Sequence, residues 1–135
     1  MAKGLFSSRS VWLWVGAAVV VVGAPLAFWA YSMTQPHPLD AFAQCLVDRG
    51  ATFYGAFWCP HCAEQKAMFG RAQRLLPYVE CSPPSRQGQY PVCEEAGVRV
   101  YPTWLFADGT RAEGVLSLNA LSERTGCPLP EGYAQ

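Results

Sequence analysis

Cys59 and Cys62 stand two residues apart, separated by Pro60 and His61. Two thiols at this spacing can open and close a disulfide, or supply half of a tetrahedral zinc site. Zinc sites of that kind need a second pair at matching spacing. Here Cys45, Cys81, Cys93 and Cys127 occur singly, and His37 and His61 are the only histidines. The flanking residues favour redox chemistry and no metal. Upstream, Thr52-Phe53-Tyr54-Gly55-Ala56-Phe57-Trp58 is apolar and aromatic and reads as a buried strand. Downstream, Pro60 suits the first turn of a helix, where its missing N–H costs nothing. Cys59 then caps a helix N-terminus, where unpaired backbone N–H groups and the positive end of the helix dipole favour thiolate over thiol, the form that attacks disulfides. Cys59 is therefore expected to be the exposed nucleophile, and Cys62, further into the helix, the resolving cysteine. A cationic ring at His61 would act in the same sense as the dipole. Glu64 and Lys66, on the helix that follows, read as solvated charges.

The elements that must position this pair can be read on either side of it. Gln35-Pro36-His37-Pro38 is a short stiff linker. Leu39, Phe42, Ala43, Leu46 and Val47 share one face of a helix over Leu39 to Arg49, stopped by Gly50. After the cysteine pair, Ala63, Ala67, Met68, Ala72, Leu75 and Leu76 continue an apolar helical face until Pro77, with Met68 as core packing. Tyr78-Val79-Glu80-Cys81 is a short strand, and Ser82 to Tyr90 a loop rich in Pro, Ser and Gln. Pro91 to Gly97 is a short helix. Val98 to Ala107 is a β-rich run interrupted by Pro102, and Asp108-Gly109 turns it back into a strand over Arg111 to Val115. Ser117 caps a last helix, which Gly126 ends. No internal repeat is present.

Composition narrows the setting. A chain of 135 residues with one long apolar segment has room for a single soluble domain of about one hundred residues. Lys plus Arg equals Asp plus Glu at ten each, so no basic field points to nucleic acid or to anionic lipid. Six cysteines suit an oxidising compartment. Val11 to Tyr31 runs without a charge and is long enough to span a hydrocarbon core of about 30 Å, whereas the apolar region of a cleaved signal peptide is about 7–15 residues. Trp12, Trp14, Trp29 and Tyr31 lie near its ends, at the depths that amphipathic rings prefer, and Lys3 and Arg9 place the short tail on the cytoplasmic side. The expected organisation is a cytoplasmic tail over 1–10, a transmembrane signal anchor over 11–31, a linker over 32–38 and a domain over 39–135. That domain is then extracytoplasmic, in a periplasm, a thylakoid lumen or the cell exterior. Cleavage near Ala30-Tyr31-Ser32 is the alternative, and it exports the domain equally. Pro25 is a candidate kink within the span.

The order helix, strand, helix, strand, short helix, hairpin, helix resembles a reduced thioredoxin-like fold, an α/β architecture with a central mixed sheet flanked by helices and here preceded by one transmembrane helix. Its markers are Trp58-Cys59-Pro60-His61-Cys62 at a strand-to-helix turn and Tyr101-Pro102-Thr103 before the hairpin. Proline is normally excluded from a central strand, so Pro102 is identified with the cis-proline that this family sets against its cysteine pair. Within the superfamily, the strings Phe53 to Cys62 and Tyr78-Val79-Glu80-Cys81, together with Gly97 and Tyr101-Pro102-Thr103-Trp104, are similar to the thioredoxin-like domain fused to or accompanying homologues of vitamin K epoxide reductase.

That resemblance implies a thiol-disulfide oxidoreductase with no cofactor of its own. It would pass disulfides to exported cysteine-containing proteins and be reoxidised by a vitamin K epoxide reductase homologue or another membrane redox partner. With one span in this chain, the partner is expected on a separate polypeptide. The Cys-Pro-His-Cys tetrad is of the DsbA type, which favours disulfide donation. A thiol reductant or isomerase, as in cytochrome maturation, and a noncatalytic thioredoxin-fold binding module are the alternatives. Cys59, Cys62, His61, Pro60 and Pro102 would serve catalysis, while Trp58, Tyr101 and Pro102 would receive an extended substrate segment as an added strand. Many relatives carry a buried carboxylate six positions before the first cysteine, and this chain has Phe53 there. The proton of Cys62 must then pass to water, His61, Glu64 or a residue brought close by folding. The resemblance also favours a second disulfide after the strand at Cys81, pairing Cys81 with Cys93. Cys45 and Cys127 then pair by default, unless Cys45 is a buried free thiol.

Overall fold

The computed structural model describes residues 8–133 and divides the chain into two compact units, one ending at Pro36 and one beginning at His37. The first unit is helix α1, Ser8–Thr34, with Pro25 inside it. Its segment Val11–Thr34 has a mean hydropathy of 2.1 and is long and apolar enough to cross a membrane. Lys3 and the rest of residues 1–7 lie outside the described residues. The helix runs past the expected end at Tyr31 because the Ser32 and Thr34 hydroxyls are satisfied within it, donating to the carbonyls of Trp29 and Tyr31 at 2.8 and 2.7 Å. It stops short of Gln35, whose backbone is biased away from helix by Pro36.

The second unit is built on a four-stranded mixed sheet, in the order β2-β1-β3-β4. Its elements are α2 (Asp40–Asp48), β1 (Thr52–Gly55), α3 (Pro60–Ala67), a 3-10 helix (Gly70–Leu75), β2 (Tyr78–Glu80), α4 (Pro91–Glu95), β3 (Thr103–Leu105), β4 (Arg111–Glu113) and α5 (Leu118–Thr125). β1 runs parallel to β2 and antiparallel to β3, and β3 and β4 are antiparallel. Both faces of the sheet are covered, which is why β1 reads as a continuous apolar run rather than an alternating one. Phe53 points into the larger core with Phe42, Leu46, Phe69, Trp104 and Leu121, while Tyr54 points into a smaller one with Cys81, Cys93 and Val98. This is the mixed α/β, thioredoxin-like architecture that the order of elements implies.

Several boundaries differ from expectation. The helix after the cysteine pair does not reach Pro77: it ends at Ala67, and Gly70, at φ +53°, cannot continue an α-helix, so the chain resumes as a 3-10 turn. A Cβ at Gly70 would also stand 3.2 Å from the His37 ring. The run from Val98 to Ala107 is strand only over Thr103–Leu105, so Pro102 enters the central strand rather than interrupting it. The caps of α5 follow the sequence, with the Ser117 side chain accepting from the Ala120 N–H at 3.1 Å and Gly126 in the left-handed conformation.

Candidate active site

The cysteine pair sits where β1 hands over to α3. Cys59 is the N-cap residue in extended conformation and Pro60 follows inside the first turn. The Cys59 carbonyl accepts the Ala63 N–H at 3.1 Å and starts the helix. The Cys59 side chain makes no capping hydrogen bond; its thiol donates instead to the Tyr101 carbonyl at 3.7 Å. Cys59 is 7% exposed and Cys62 1%. The expectation of an exposed nucleophile is thus corrected: Cys59 is the more accessible of the two, but its sulfur is turned inward against the Tyr101-Pro102 segment.

The Tyr101-Pro102 peptide is cis. Pro102 is fully buried, and its carbonyl already accepts the Gly114 N–H at 2.8 Å. The backbone carbonyl that faces the cysteines is therefore that of Tyr101. Of the residues expected to meet a substrate, Trp58 and Tyr101 reach the surface, with their rings edge-to-face at 6.1 Å. The Trp58 indole N–H is anchored on the Ser82 hydroxyl at 2.7 Å. Phe57 beside it is 53% exposed, and together these rings form an apolar rim next to the pair. His61 lies on the solvent side, 3.4 Å from Glu64, and both side chains are largely exposed.

Cys62 lies over β1. A Cβ on Gly55 would stand 2.8 Å from the Cys62 sulfur and 2.9 Å from a ring carbon of Tyr78, so only glycine fits beneath the pair. Burial, ahead of the neighbouring Cys59, pushes the Cys62 thiol up to about 12. Phe53 is fully buried six positions before Cys59, stacked on Trp104 at 4.8 Å and edge-on to Tyr78 at 5.2 Å. Lys66 is not the solvated charge expected of it: the ammonium sits 3.3 Å from the centre of the Tyr78 ring, because the next turn of α3 carries it back over β2. Glu64 does face solvent.

Two buried or half-buried polar residues escaped the sequence reading. Gln65 is fully buried and accepts the Trp104 indole N–H at 3.2 Å and the Leu116 N–H at 2.7 Å, while donating to the Leu116 carbonyl at 3.0 Å. It pins α3, and with it Cys62, to β3 and to the segment entering α5. Glu80 accepts the N–H groups of Phe57 and Ser82 at 3.2 and 2.9 Å and the Tyr78 hydroxyl at 2.7 Å, so it holds the loop that leads into Cys59. The only clue to Glu80 was its place in a short strand two residues from Tyr78, where the two share a face. The remaining cysteines are bridged as Cys45–Cys127 and Cys81–Cys93, with Cα separations of 5.8 and 5.7 Å. The first ties α2 to the segment after α5, and the second closes the smaller core.

A dithiol at a helix start, faced by a cis-proline loop on a β2-β1-β3-β4 mixed sheet, defines a thioredoxin-like domain. No family model matches the chain. It is 40% identical over 104 residues to the thiol-disulfide oxidoreductase LTO1 of Arabidopsis thaliana. The match takes in 74% of this chain and 27% of that protein, so the chain spans about a quarter of the length of the relative.

Proposed function

We propose that this chain is a membrane-anchored thiol-disulfide oxidoreductase that donates disulfides to exported proteins. The carrying observation is the juxtaposition of Cys59, at the mouth of α3, with the Tyr101 carbonyl, while Cys62 is the more deeply buried of the pair. The activity in the name of the Arabidopsis relative supports the same reading. A substrate thiolate attacks the Cys59 sulfur of the Cys59–Cys62 disulfide, that S–S bond breaks, and its electron pair leaves with Cys62, which takes up a proton. A second substrate thiolate then attacks the substrate sulfur of the mixed disulfide and expels Cys59 as thiolate. The substrate loses two electrons and gains a disulfide, and the domain is left as a dithiol. A membrane oxidase of the vitamin K epoxide reductase type removes those electrons. Helix α1 holds the domain on the extracytoplasmic face, with the residues before Val11 in the cytoplasm.

Trapping tests the roles. Cys62→Ala is expected to accumulate mixed disulfides that reductant dissolves, and Cys59→Ala none. If the reverse holds, the assignment of the two cysteines is wrong; if neither traps and the wild type leaves a reduced model substrate unoxidised, the activity itself is excluded. Protease added to intact spheroplasts should remove the domain, and protection until lysis would reverse the orientation.

A further inference from the structure

When the Cys59–Cys62 disulfide opens, Cys62 leaves as a thiolate in a buried site and must be protonated; when the disulfide closes again, that proton must go. The position that would hold a carboxylate for this purpose is filled by Phe53, which has no proton to exchange. His61 and Glu64 face solvent and each other. A carboxylate does lie on the inner side of Cys62, one strand away. The β1–β2 register sets Phe53 opposite Tyr78 and Gly55 opposite Glu80. Alternate strand residues share a face, so all four lie on one side of the sheet. It is the side on which Cys62 sits, since a Cβ on Gly55 would meet its sulfur. The bareness of Gly55 leaves Cys62 and the Tyr78 ring facing each other across a single glycine.

We propose that Glu80, bonded to the Tyr78 phenol, is the proton relay for Cys62: as a carboxylate it takes up the proton that Cys62 loses when the disulfide closes, and, once protonated from water, it returns one to the Cys62 thiolate when the disulfide opens. The proposal rests on the oxidoreductase reading. Three hydrogen bonds fix the carboxylate, the Phe57 and Ser82 N–H groups on one oxygen and the Tyr78 hydroxyl on the other at 2.7 Å. The Tyr78 hydroxyl is kept neutral, by burial first and then by the Glu80 carboxylate, so it passes its proton to Glu80 only in step with taking another from the Cys62 side. Burial makes the Cys62 thiolate costly, and a proton source on the same face of the sheet shortens its life. Among the described residues, the other titratable groups around the relay are Cys59 at the N-cap of α3, Lys66 on α3 and Tyr101 ahead of β3. Lys66, over the Tyr78 ring, is the one cation acting on Cys62 among them.

The test uses the full chain in detergent, with dithiothreitol opening the Cys59–Cys62 disulfide in a stopped-flow instrument and fluorescence from the adjacent Trp58 as signal. Rates are corrected for the dithiothreitol thiolate present at each pH. Glu80→Gln keeps the shape of the side chain and its acceptor oxygen but cannot carry the proton. It is expected to slow opening about a hundred-fold, the low end of general acid catalysis, and to abolish the solvent-deuterium isotope effect and the residual pH dependence. Tyr78→Phe, which keeps the ring under Lys66, is expected to fall between Glu80→Gln and the wild type, and it serves if Glu80→Gln folds poorly. Wild-type rates and pH profiles in both variants would overturn the proposal. So would an equal slowing at every pH with an unchanged isotope effect, which is the mark of a structural role. A wild type that reacts with dithiothreitol yet leaves reduced protein substrates untouched would instead sink the oxidoreductase reading, and this proposal with it.

Discussion

Gly55→Ala adds one methyl group at the most crowded point of the site. The backbone permits it, because Gly55 is not among the glycines at positive φ, so the perturbation is steric. The new carbon would stand 2.8 Å from the Cys62 sulfur and 2.9 Å from a Tyr78 ring carbon, against about 3.5–4.0 Å for ordinary contact between carbons. Something must retreat by about 1 Å, and neither neighbour is free to do so. Cys62 rides on a helix that Gln65 ties to Trp104 and Leu116, and the Tyr78 ring lies between the Lys66 ammonium and the edge of Phe53. Overpacking of this kind costs about 1–3 kcal/mol, offset by the ~0.5–1 kcal/mol that alanine gains over glycine within a strand. The net loss of about 1–2 kcal/mol corresponds to a fall in Tm of about 5–15 °C for a domain of this size. Thermal melts of the oxidised and reduced forms give the first measurement. The rate at which glutathione disulfide closes the Cys59–Cys62 pair gives the second, and it should fall as Cys62 is pushed off its line to Cys59. A variant as stable as the wild type that closes its disulfide at the wild-type rate would refute the account of why glycine stands there.

Gln65→Leu removes the acceptor of a fully buried indole N–H and both bonds to the Leu116 backbone, at about 1–3 kcal/mol for the group left without a partner; urea denaturation should show a loss of about 3 kcal/mol in all. In the chain-entropy picture, the Cys45–Cys127 bridge spans 82 residues and the Cys81–Cys93 bridge 12. Replacing the first pair by alanine should therefore cost about 4–5 kcal/mol and the second about 3, and non-reducing peptide maps should recover both linked peptides. A buried thiol with a raised pKa binds its proton more tightly folded than unfolded. Stability is thus intact below the ordinary thiol value of 9.0 and is lost as pH rises from there toward about 12, by about 1.4 kcal/mol per pH unit. Denaturation of Cys59→Ser should show this alkaline loss, and denaturation of Cys59→Ser/Cys62→Ala should show less of it. The comparison cancels the similar alkaline contribution of Tyr78, which burial also raises.

What could be read in advance was local. Pro60 in the first turn after Cys59, Ser117 as a cap and Gly126 as a stop act within a few residues of themselves, and each stands in the structure as its chemistry implies. The apolar run into Cys59 was legible for the same reason, whereas the Tyr101-Pro102 pair was legible through the resemblance to the thioredoxin-like family. The features that depend on register were not. Gly55 looked like one residue of a strand, although a glycine inside an apolar strand is itself a sign of close approach. Gln65 and Lys66 follow the cysteines in a polar stretch that reads as solvent-facing, and only the packing of α3 on the sheet turns one toward Trp104 and the other over Tyr78. The premature end of α3 escaped because the apolar spacing continues through Gly70, and periodicity carries no information about a backbone angle.

The two sulfurs of the pair differ less in exposure than in what lies against them. Cys59 meets a backbone carbonyl, with Trp58 and Tyr101 at the surface beside it; Cys62 meets the bare strand at Gly55, with Tyr78 and Glu80 on the same face. On the proposed function these are separate levers. An arriving substrate touches the aromatic rim and the Tyr101 segment, so changes there alter which proteins are served. It does not reach the Gly55 side, so changes there alter how quickly the pair opens and closes for every partner alike. A small thiol such as dithiothreitol, which needs no rim, should therefore report the inner side alone. A folded protein substrate reports both, and the ratio of the two rates in any variant identifies the side that has been disturbed.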